Sequence, residues 1–151
     1  MAKRDKKRRR RKPPAKKSQS ALPTKGNHHD LLEIFNAINL WYFDGKIKAR
    51  ISWGRRVPFP PRYHKTMSMA HCHVENRLII ISRSLDRSSV PRLIVEYTVF
   101  HEILHLKFPP RIKNGRHNFH YKEFCDAEKQ FANYAEAEEW EKNHNYLLHF
   151  F

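Results

Sequence analysis

The first regular pattern of hydrophobic positions begins directly after Asp30. Hydrophobic side chains recur there at steps of three and four residues, which places them on one face of an α-helix, and Gly45 follows as a stop signal. This stripe consists of Leu31, Ile34, Phe35, Ile38, Trp41 and Tyr42. The pattern therefore predicts an amphipathic helix whose hydrophobic face packs against the rest of the domain.

Three short segments after this helix have the alternation and the β-branched residues that are typical of strands. They cover residues 49–53, 66–74 and 77–82. The stretch 57–63 between the first two contains three prolines, which cannot donate a ladder hydrogen bond, so we predict a loop there. Together the three segments predict a small three-stranded sheet.

A second helix is predicted to begin near Ser88 and Ser89, whose hydroxyl groups can cap it, with Pro91 in the first turn. It should run to about Lys107, because a pair of prolines follows. Its side chains are hydrophobic on nearly every side, which is the pattern of a buried helix.

A last helix is predicted from near Phe119 toward Lys142, after a loop at 109–117. Its inward stripe is formed by Tyr121, Phe124, Cys125, Phe131 and Ala135. One helix, three strands and two further helices predict an α+β fold. A chain of 151 residues is long enough for one such domain, which we place at 27–151.

Positive charge dominates the composition. The formal net charge is +15, and the first 20 residues alone contain eleven Lys or Arg against one Asp, giving +10. Residues 1–26 have almost no hydrophobic side chains, so we predict a disordered basic tail. Residues 46–116 contain fifteen Lys or Arg against four acids, giving +11. The charge favours nucleic acid as a partner, whereas charge alone says nothing about the fold. For the tail, a solubilising or targeting extension is an equal alternative.

The two cysteines, Cys72 and Cys125, stand far apart and form no Cys-x-x-Cys pair of the kind found in zinc ribbons and redox sites. Isolated cysteines are usually free thiols of a reducing compartment, and a disulfide between them is the minor alternative. No hydrophobic run is long enough to cross a bilayer, and no secretory leader is recognisable. We therefore expect a cytoplasmic protein with no membrane partner; its charge also suits a nucleoid-associated or nuclear location.

The most specific chemical signal is the HExxH motif at residues 101–105, within the second predicted helix. Two histidines four residues apart lie on one helix face, so His101 and His105 can bind the same metal ion. Burying them in a hydrophobic helix without such a partner would be unfavourable. If this ion is Zn²⁺, Glu102 would act as the general base that takes a proton from the bound water and as the general acid that returns it to the leaving amine. This is the chemistry of a zinc-dependent peptidase.

Catalytic zinc usually has three protein ligands, so a third must come from elsewhere. A metzincin would have glycine and histidine where Phe108 and Arg111 stand, so that class is excluded. His120 is favoured, because it shares a predicted helix face with Phe124 and Phe131 and should point inward. The remaining candidates are His117, Glu123 and Glu128.

A second group of potential ligands, His71 and His73, lies in a predicted strand. The two share one face, while Cys72 between them points to the other. Two ligands are too few for a typical zinc site, so packing across the sheet is the favoured interpretation.

Several stretches resemble the SprT-like family of zinc metalloproteases, which includes the bacterial SprT and eukaryotic Spartan proteins. Residues 35–47 resemble the opening helix of that family, with an aromatic pair before a glycine, and residues 69–85 resemble its two-strand stretch. The motif at 101–105 and the segment 120–124 resemble its HExxH and its later histidine with Phe four residues on. The likeness covers about residues 30–135.

This resemblance implies a compact zincin-like domain in which the C-terminal helix carries the third zinc ligand, and it selects His120. It also implies action on proteins crosslinked to DNA. The main hypothesis is therefore a zinc metallopeptidase with nucleic acid as a probable partner. The alternatives are a basic nucleic-acid-binding protein with a structural zinc site and a zinc hydrolase acting on a small amide or on peptidoglycan stems.

Overall fold

Helices and strands are mixed along the chain in a computed structural model that describes residues 21–55 and 69–144. The predicted loop at 57–63 and residues 1–20 of the predicted tail lie outside the described residues. The described elements are the helices α1 (Leu31–Phe43), α2 (Arg92–Lys107), α3 (Lys122–Glu128) and α4 (Tyr134–Asn143) and the strands β1 (Arg50–Trp53), β2 (Ala70–His73), β3 (Leu78–Ile81), β4 (Arg111–Lys113) and β5 (Arg116–Asn118). The predicted α+β class is confirmed.

Helix α1 begins and ends where the sequence predicts. The Asp30 carboxylate accepts hydrogen bonds from the first-turn amides of Leu32 and Glu33, and the helix stops where Asp44 and Gly45 take positive φ angles of 52° and 69°. Leu31, Ile34, Phe35 and Ile38 of its hydrophobic stripe are buried, and Tyr42 is partly buried. Trp41 is predicted in the stripe but is 82% exposed.

Strands β1, β3 and β2 form one sheet in this spatial order. β1 runs parallel to β3, with Ile51 opposite Ile79, and β2 runs antiparallel to β3, with Cys72 opposite Ile79. The three predicted strands are thus confirmed, and the first and third are shorter than predicted; residues 66–68 of the second prediction lie outside the described residues. β2 is an edge strand of the sheet within the described part of the chain.

The segment before α1 is held against the domain by backbone hydrogen bonds. The amide of Trp53 donates to the carbonyl of Pro23 over 2.8 Å. The Asp86 carboxylate accepts hydrogen bonds from the amides of Asn27, His28 and His29, at 2.7, 2.8 and 3.2 Å. Pro23, which the sequence predicts as part of the basic tail, is therefore bound to strand β1.

Helix α2 is the centre of the fold and packs against α1, α3, α4, β2 and β3. The predicted caps at Ser88 and Ser89 are wrong: the residue before the helix is Pro91, and no side chain caps the first turn. Pro91 instead supplies its carbonyl to the amide of Ile94 over 3.0 Å. None of the helices that the structure describes combines the length and hydrophobic character needed to cross a membrane.

The single last helix predicted for 119–142 is divided into α3 and α4. The chain turns between them and buries Phe131 in an aromatic cluster, with ring centroids 5.7 Å from Tyr42, 5.4 Å from Tyr97 and 5.3 Å from Phe100. The predicted helix is therefore interrupted at the segment that carries Phe131.

The predicted loop at 109–117 contains a β-hairpin formed by β4 and β5. Asn114 and Gly115 have φ angles of 51° and 72° and form the two-residue turn between the strands. An Asn-Gly pair is the preferred sequence for such a turn. The strands were missed because each has only three residues and no hydrophobic alternation.

Candidate metal centre

Helix α2 brings the two histidines of the HExxH motif together. They lie one turn apart on the side that faces α3, and the Nε2 atom of His105 is 3.2 Å from the Nε2 atom of His101. Residues four apart on an α-helix are neighbours on its surface, so this pair follows from the local sequence.

His120 joins this pair from outside the helix. It stands two residues before α3, and its Nε2 atom lies 3.3 Å from the Nε2 atom of His101. One ligand atom from each of the three histidines lies within 4.8 Å of the others. The structure therefore brings together the three residues that the sequence analysis favoured as ligands.

The spacing of the three rings fits a bound metal ion. Three imidazoles that bind zinc at about 2.0–2.1 Å in tetrahedral geometry have nitrogens roughly 3.3–3.4 Å apart. The two observed separations from His101 are 3.2 and 3.3 Å. Imidazole nitrogens are suitable ligands for zinc and for other first-row transition metals. This group can therefore hold one metal ion.

The ring of Phe124, in α3, packs against the imidazole rings of all three histidines. Its side chain is fully buried, and its ring centroid lies 5.1, 4.7 and 4.9 Å from those of His101, His105 and His120. A large rigid ring in contact with all three imidazoles restricts their rotation. Phe124 thereby holds the three ligands in one arrangement.

Glu128 fixes the orientation of His101. Its Oε1 atom lies 2.5 Å from His101 Nδ1 and accepts a hydrogen bond from the Tyr97 hydroxyl at 2.8 Å. A carboxylate that binds the second ring nitrogen of a ligating histidine sets its tautomer and increases its basicity. The Nε2 lone pair of His101 is consequently directed toward the other two histidines.

The pKa values of the histidines differ because their surroundings differ. Burial lowers the pKa of His101, but the hydrogen bond and charge of Glu128 outweigh it and leave that pKa raised. Burial, together with the nearby charge of His101, lowers the pKa of His105 to about 4 and also lowers that of His120. His105 and His120 are therefore neutral at pH 7, with lone pairs available for a metal ion.

Glu102 lies on the same helix and is only 6% exposed. Burial raises the pKa of its carboxyl group to about 7, against the opposing influence of His101. A carboxyl group with a pKa near the working pH can both accept and release a proton. The side chain lines a cavity of about 220 Å³ beside His101.

This cavity lies between α2 and the edge strand of the sheet. Met69 and Ala70, at the N-terminal end of β2, line it together with residues of α2, α3 and α4. The remaining lining residues are Tyr97, Thr98, His101, Glu102, Glu128 and Glu141. Glu102 and the N-terminal end of β2 therefore line the same cavity.

Apart from Glu128, which contacts His101, the other candidates from the sequence lie apart from the three histidines. His117 is exposed on β5, and Glu123 is on the surface of α3, where it accepts a hydrogen bond from Arg111 at 3.1 Å. His71 and His73 are exposed on β2 and join no group of three metal-binding side chains among the described residues.

The role of Glu128 as a partner of His101 was missed, since the sequence analysis considered it only as a ligand. Phe124 and Glu128 stand four residues apart and so share a face of α3. This four-residue spacing is the sequence feature that could have placed Glu128 on the same side of α3 as Phe124, next to the histidines. The contact with Tyr97 has no signal in the sequence.

Comparison with known proteins identifies one family. The model of the SprT-like family matches residues 31–144, which is well over half of the chain and includes the three histidines. No curated protein and no solved structure matches the chain.

Proposed function

The chain belongs to the SprT-like family, and on this premise we propose that it is a zinc-dependent metallopeptidase. The observation that carries the proposal is the convergence of three imidazole nitrogens beside a buried glutamate. Three protein nitrogens with a position left for water are typical of catalytic rather than structural zinc sites.

His101, His105 and His120 would hold the ion. Bound zinc lowers the pKa of water to about 7 and polarises the carbonyl group of the scissile bond. Glu128 keeps His101 in the ligating tautomer, through the contact at 2.5 Å. Phe124 excludes water from the side of the rings that faces the core.

Glu102 is the proposed general base and general acid. It accepts a proton from the attacking water and then returns that proton to the amine of the leaving fragment, so the carboxylate is regenerated in each cycle. Its raised pKa, near 7, suits both steps. The substrate would lie as an extended strand beside β2, where backbone hydrogen bonds give affinity with little dependence on sequence.

We also propose that the peptidase acts on proteins associated with nucleic acid. The support is the net charge of +15, carried by the basic tail and by the domain itself. Lys and Arg side chains that neutralise phosphates release counterions, which gives binding that weakens as salt increases.

The metal is tested first, by plasma mass spectrometry of the purified full chain. We expect one zinc per chain, lost in His101→Ala, His105→Ala and His120→Ala. His117→Ala is the matched control and should retain zinc, because that side chain lies on the exposed hairpin. A chain that takes up no metal even after zinc supplementation would exclude the proposed enzyme.

Cleavage is tested next, with an unfolded protein substrate and Glu102→Gln. This change keeps the size of the side chain but removes the base, so zinc content should stay at one per chain while cleavage is lost. Retained cleavage would refute the role of Glu102. A zinc-loaded wild type without activity, alone or with DNA, would instead favour a nucleic-acid-binding protein in which zinc stabilises the fold.

A further inference from the structure

The β4–β5 hairpin has two chemically different faces. Ile112 pairs with His117 across the two strands, so both side chains leave the hairpin on one face. The basic side chains of the strands alternate with them and leave on the opposite face. Ile112 is 73% exposed and lies outside the hydrophobic core of the described domain. One face of the hairpin is therefore basic, and the other carries an exposed hydrophobic side chain.

Phe119 extends the hydrophobic side of the hairpin to the metal centre. It stands two residues after His117 and is 46% exposed. Its ring centroid lies 6.0 Å from that of His117 and 6.1 Å from that of His105. Ile112, His117 and Phe119 together form what we call the hairpin face. This face borders the metal centre at His105, one of the three candidate ligands.

Contacts made from the opposite, basic side hold the hairpin in position. The guanidinium group of Arg111 lies 3.9 Å from the ring centroid of Tyr121 and donates a hydrogen bond to Glu123 at 3.1 Å. The Tyr121 hydroxyl donates to the carbonyl of Pro109 at 3.0 Å. The hairpin face is therefore placed beside His105 before any ligand binds, which lowers the entropy lost on binding.

We propose that the hairpin face binds hydrophobic side chains of the peptide substrate and so determines which peptide bonds are cleaved. This selectivity rests on the proposed peptidase function. Side chains two residues apart in an extended chain leave on the same side, roughly 6.4–6.8 Å apart. The rings of Phe119 and His117 are separated by a similar step of 6.0 Å. A substrate bound at the ion can therefore place one side chain on Phe119 and the next but one against Ile112.

The cavity beside His101 suits a hydrophobic side chain less well than the hairpin face does. Its lining includes the carboxyl groups of Glu102, Glu128 and Glu141. A hydrophobic group in this cavity would displace water from those carboxyl groups without replacing its hydrogen bonds, which is unfavourable. Hydrophobic side chains of a substrate therefore fit the part of the centre at His105, where the hairpin face lies.

A folded partner, including a second copy of the chain, also fits the hairpin face less well. Each partner in a stable protein complex buries about 800 Å² from roughly 20–30 residues. The hairpin face consists of three side chains on a ribbon of two short strands. This width matches one extended peptide, whose side chains it can contact one at a time.

Selectivity is tested with the zinc-loaded full chain and internally quenched peptides of one uncharged host sequence of Gly, Ser and Gln. Two positions, two residues apart, carry either Phe or Ser, and the pair is moved along the host. We expect cleavage at a fixed distance from the Phe pair, located by mass spectrometry of the products. The kcat/KM for the Phe peptides should exceed that for the Ser peptides about tenfold, the lower end of the discrimination by a hydrophobic pocket, because the face is open to solvent.

Variants of the hairpin assign this preference to its hydrophobic face. Ile112→Thr/Phe119→Ser should reduce the preference for Phe to less than about twofold, whereas Phe119→Leu keeps a hydrophobic side chain and should retain it. Lys113→Ala/Arg116→Ala is the matched control, because it changes only the opposite face of the same hairpin and should leave the preference unchanged. Zinc content is measured in each variant, since Phe119 lies next to His105. If the double variant loses zinc, Ile112→Thr alone should still lower the preference in part.

Peptide binding separates this selectivity from the proposed function. Fluorescence anisotropy with the labelled Phe and Ser peptides and the zinc-loaded Glu102→Gln chain measures affinity without cleavage. Tighter binding of the Phe peptides that is lost with Ile112→Thr/Phe119→Ser, in a protein that cleaves neither, would refute the peptidase alone. Cleavage without a preference for Phe, or a preference that the double variant keeps, would overturn the role of the hairpin face and leave the peptidase intact. Neither cleavage nor binding of any peptide would overturn both.

Discussion

Replacing Glu128 with alanine tests how the metal centre is organised. The change removes the acceptor of both His101 Nδ1 and the Tyr97 hydroxyl, which lie 2.5 and 2.8 Å from the same carboxylate oxygen. Loss of such a partner typically weakens metal affinity about 10- to 100-fold, or roughly 1.4–2.7 kcal/mol. The expected result is zinc binding weakened by this factor with all three ligands still present.

A chelator competition titration measures the zinc dissociation constant directly. Glu123→Ala is the matched control, because it removes a carboxylate from the exposed side of the same helix and should leave zinc affinity unchanged. Equal affinity in wild type and Glu128→Ala, or an equal loss in both variants, would refute the orienting role.

A second change separates orientation from stability. Glu128→Ala leaves the hydroxyl of Tyr97, a residue 6% exposed, without its partner, at a cost of about 1–3 kcal/mol in the free energy of unfolding. Adding Tyr97→Phe removes that hydroxyl and should restore much of the stability in urea unfolding of the metal-free protein. Zinc affinity should stay low in the double variant; if it recovers together with stability, the loss was structural.

Three further predictions concern the folded domain. Burial raises the pKa of Asp86, but the hydrogen bonds from three backbone amides outweigh it, so this pKa is lowered. The stabilisation that the Asp86 carboxylate gives to the folded domain is therefore complete above the unfolded carboxyl pKa of roughly 4. It is lost as the pH falls through the lower pKa of the folded state. Urea unfolding at pH 7 and pH 3 should show that Asp86→Ala destabilises the domain less at pH 3 than at pH 7, and an equal effect at both would contradict this. Gly26→Ala would place a Cβ atom 2.5 Å from the Asp86 carboxyl group, so thermal unfolding should occur at a lower temperature, and the loss should shrink in the Asp86→Ala background. Phe124→Ala, at a fully buried ring, should cost about 3–5 kcal/mol in urea unfolding; a cost below 1 kcal/mol would argue against its place beneath the histidines.

Helix α1, the three strands of the sheet and the HExxH helix could be predicted because their signals are local. The cap at Asp30 and the hydrophobic period after it involve residues within a few positions of each other. The same holds for His101 and His105, whose spacing fixes their proximity once the segment is helical. The SprT-like resemblance, confirmed by the family match, rests on stretches of this kind.

Other features depend on contacts between residues distant in sequence. Phe131 lies in the segment between α3 and α4 and packs against Tyr42 and Phe100, and Trp41 is 82% exposed although it belongs to the predicted stripe. The sequence contains hydrophobic residues at these positions but does not specify their partners.

The sequence by itself determined the α+β class, the family and two histidines on one helix face. Only the tertiary structure decided that His120, and not His117, lies with that pair, and that Glu128 supports His101 from behind. The physical reason is the distance along the chain, because helical periodicity determines contacts only between residues up to about four positions apart. Groups 15 or 27 positions from their partners come together only through the packing of α3 against α2.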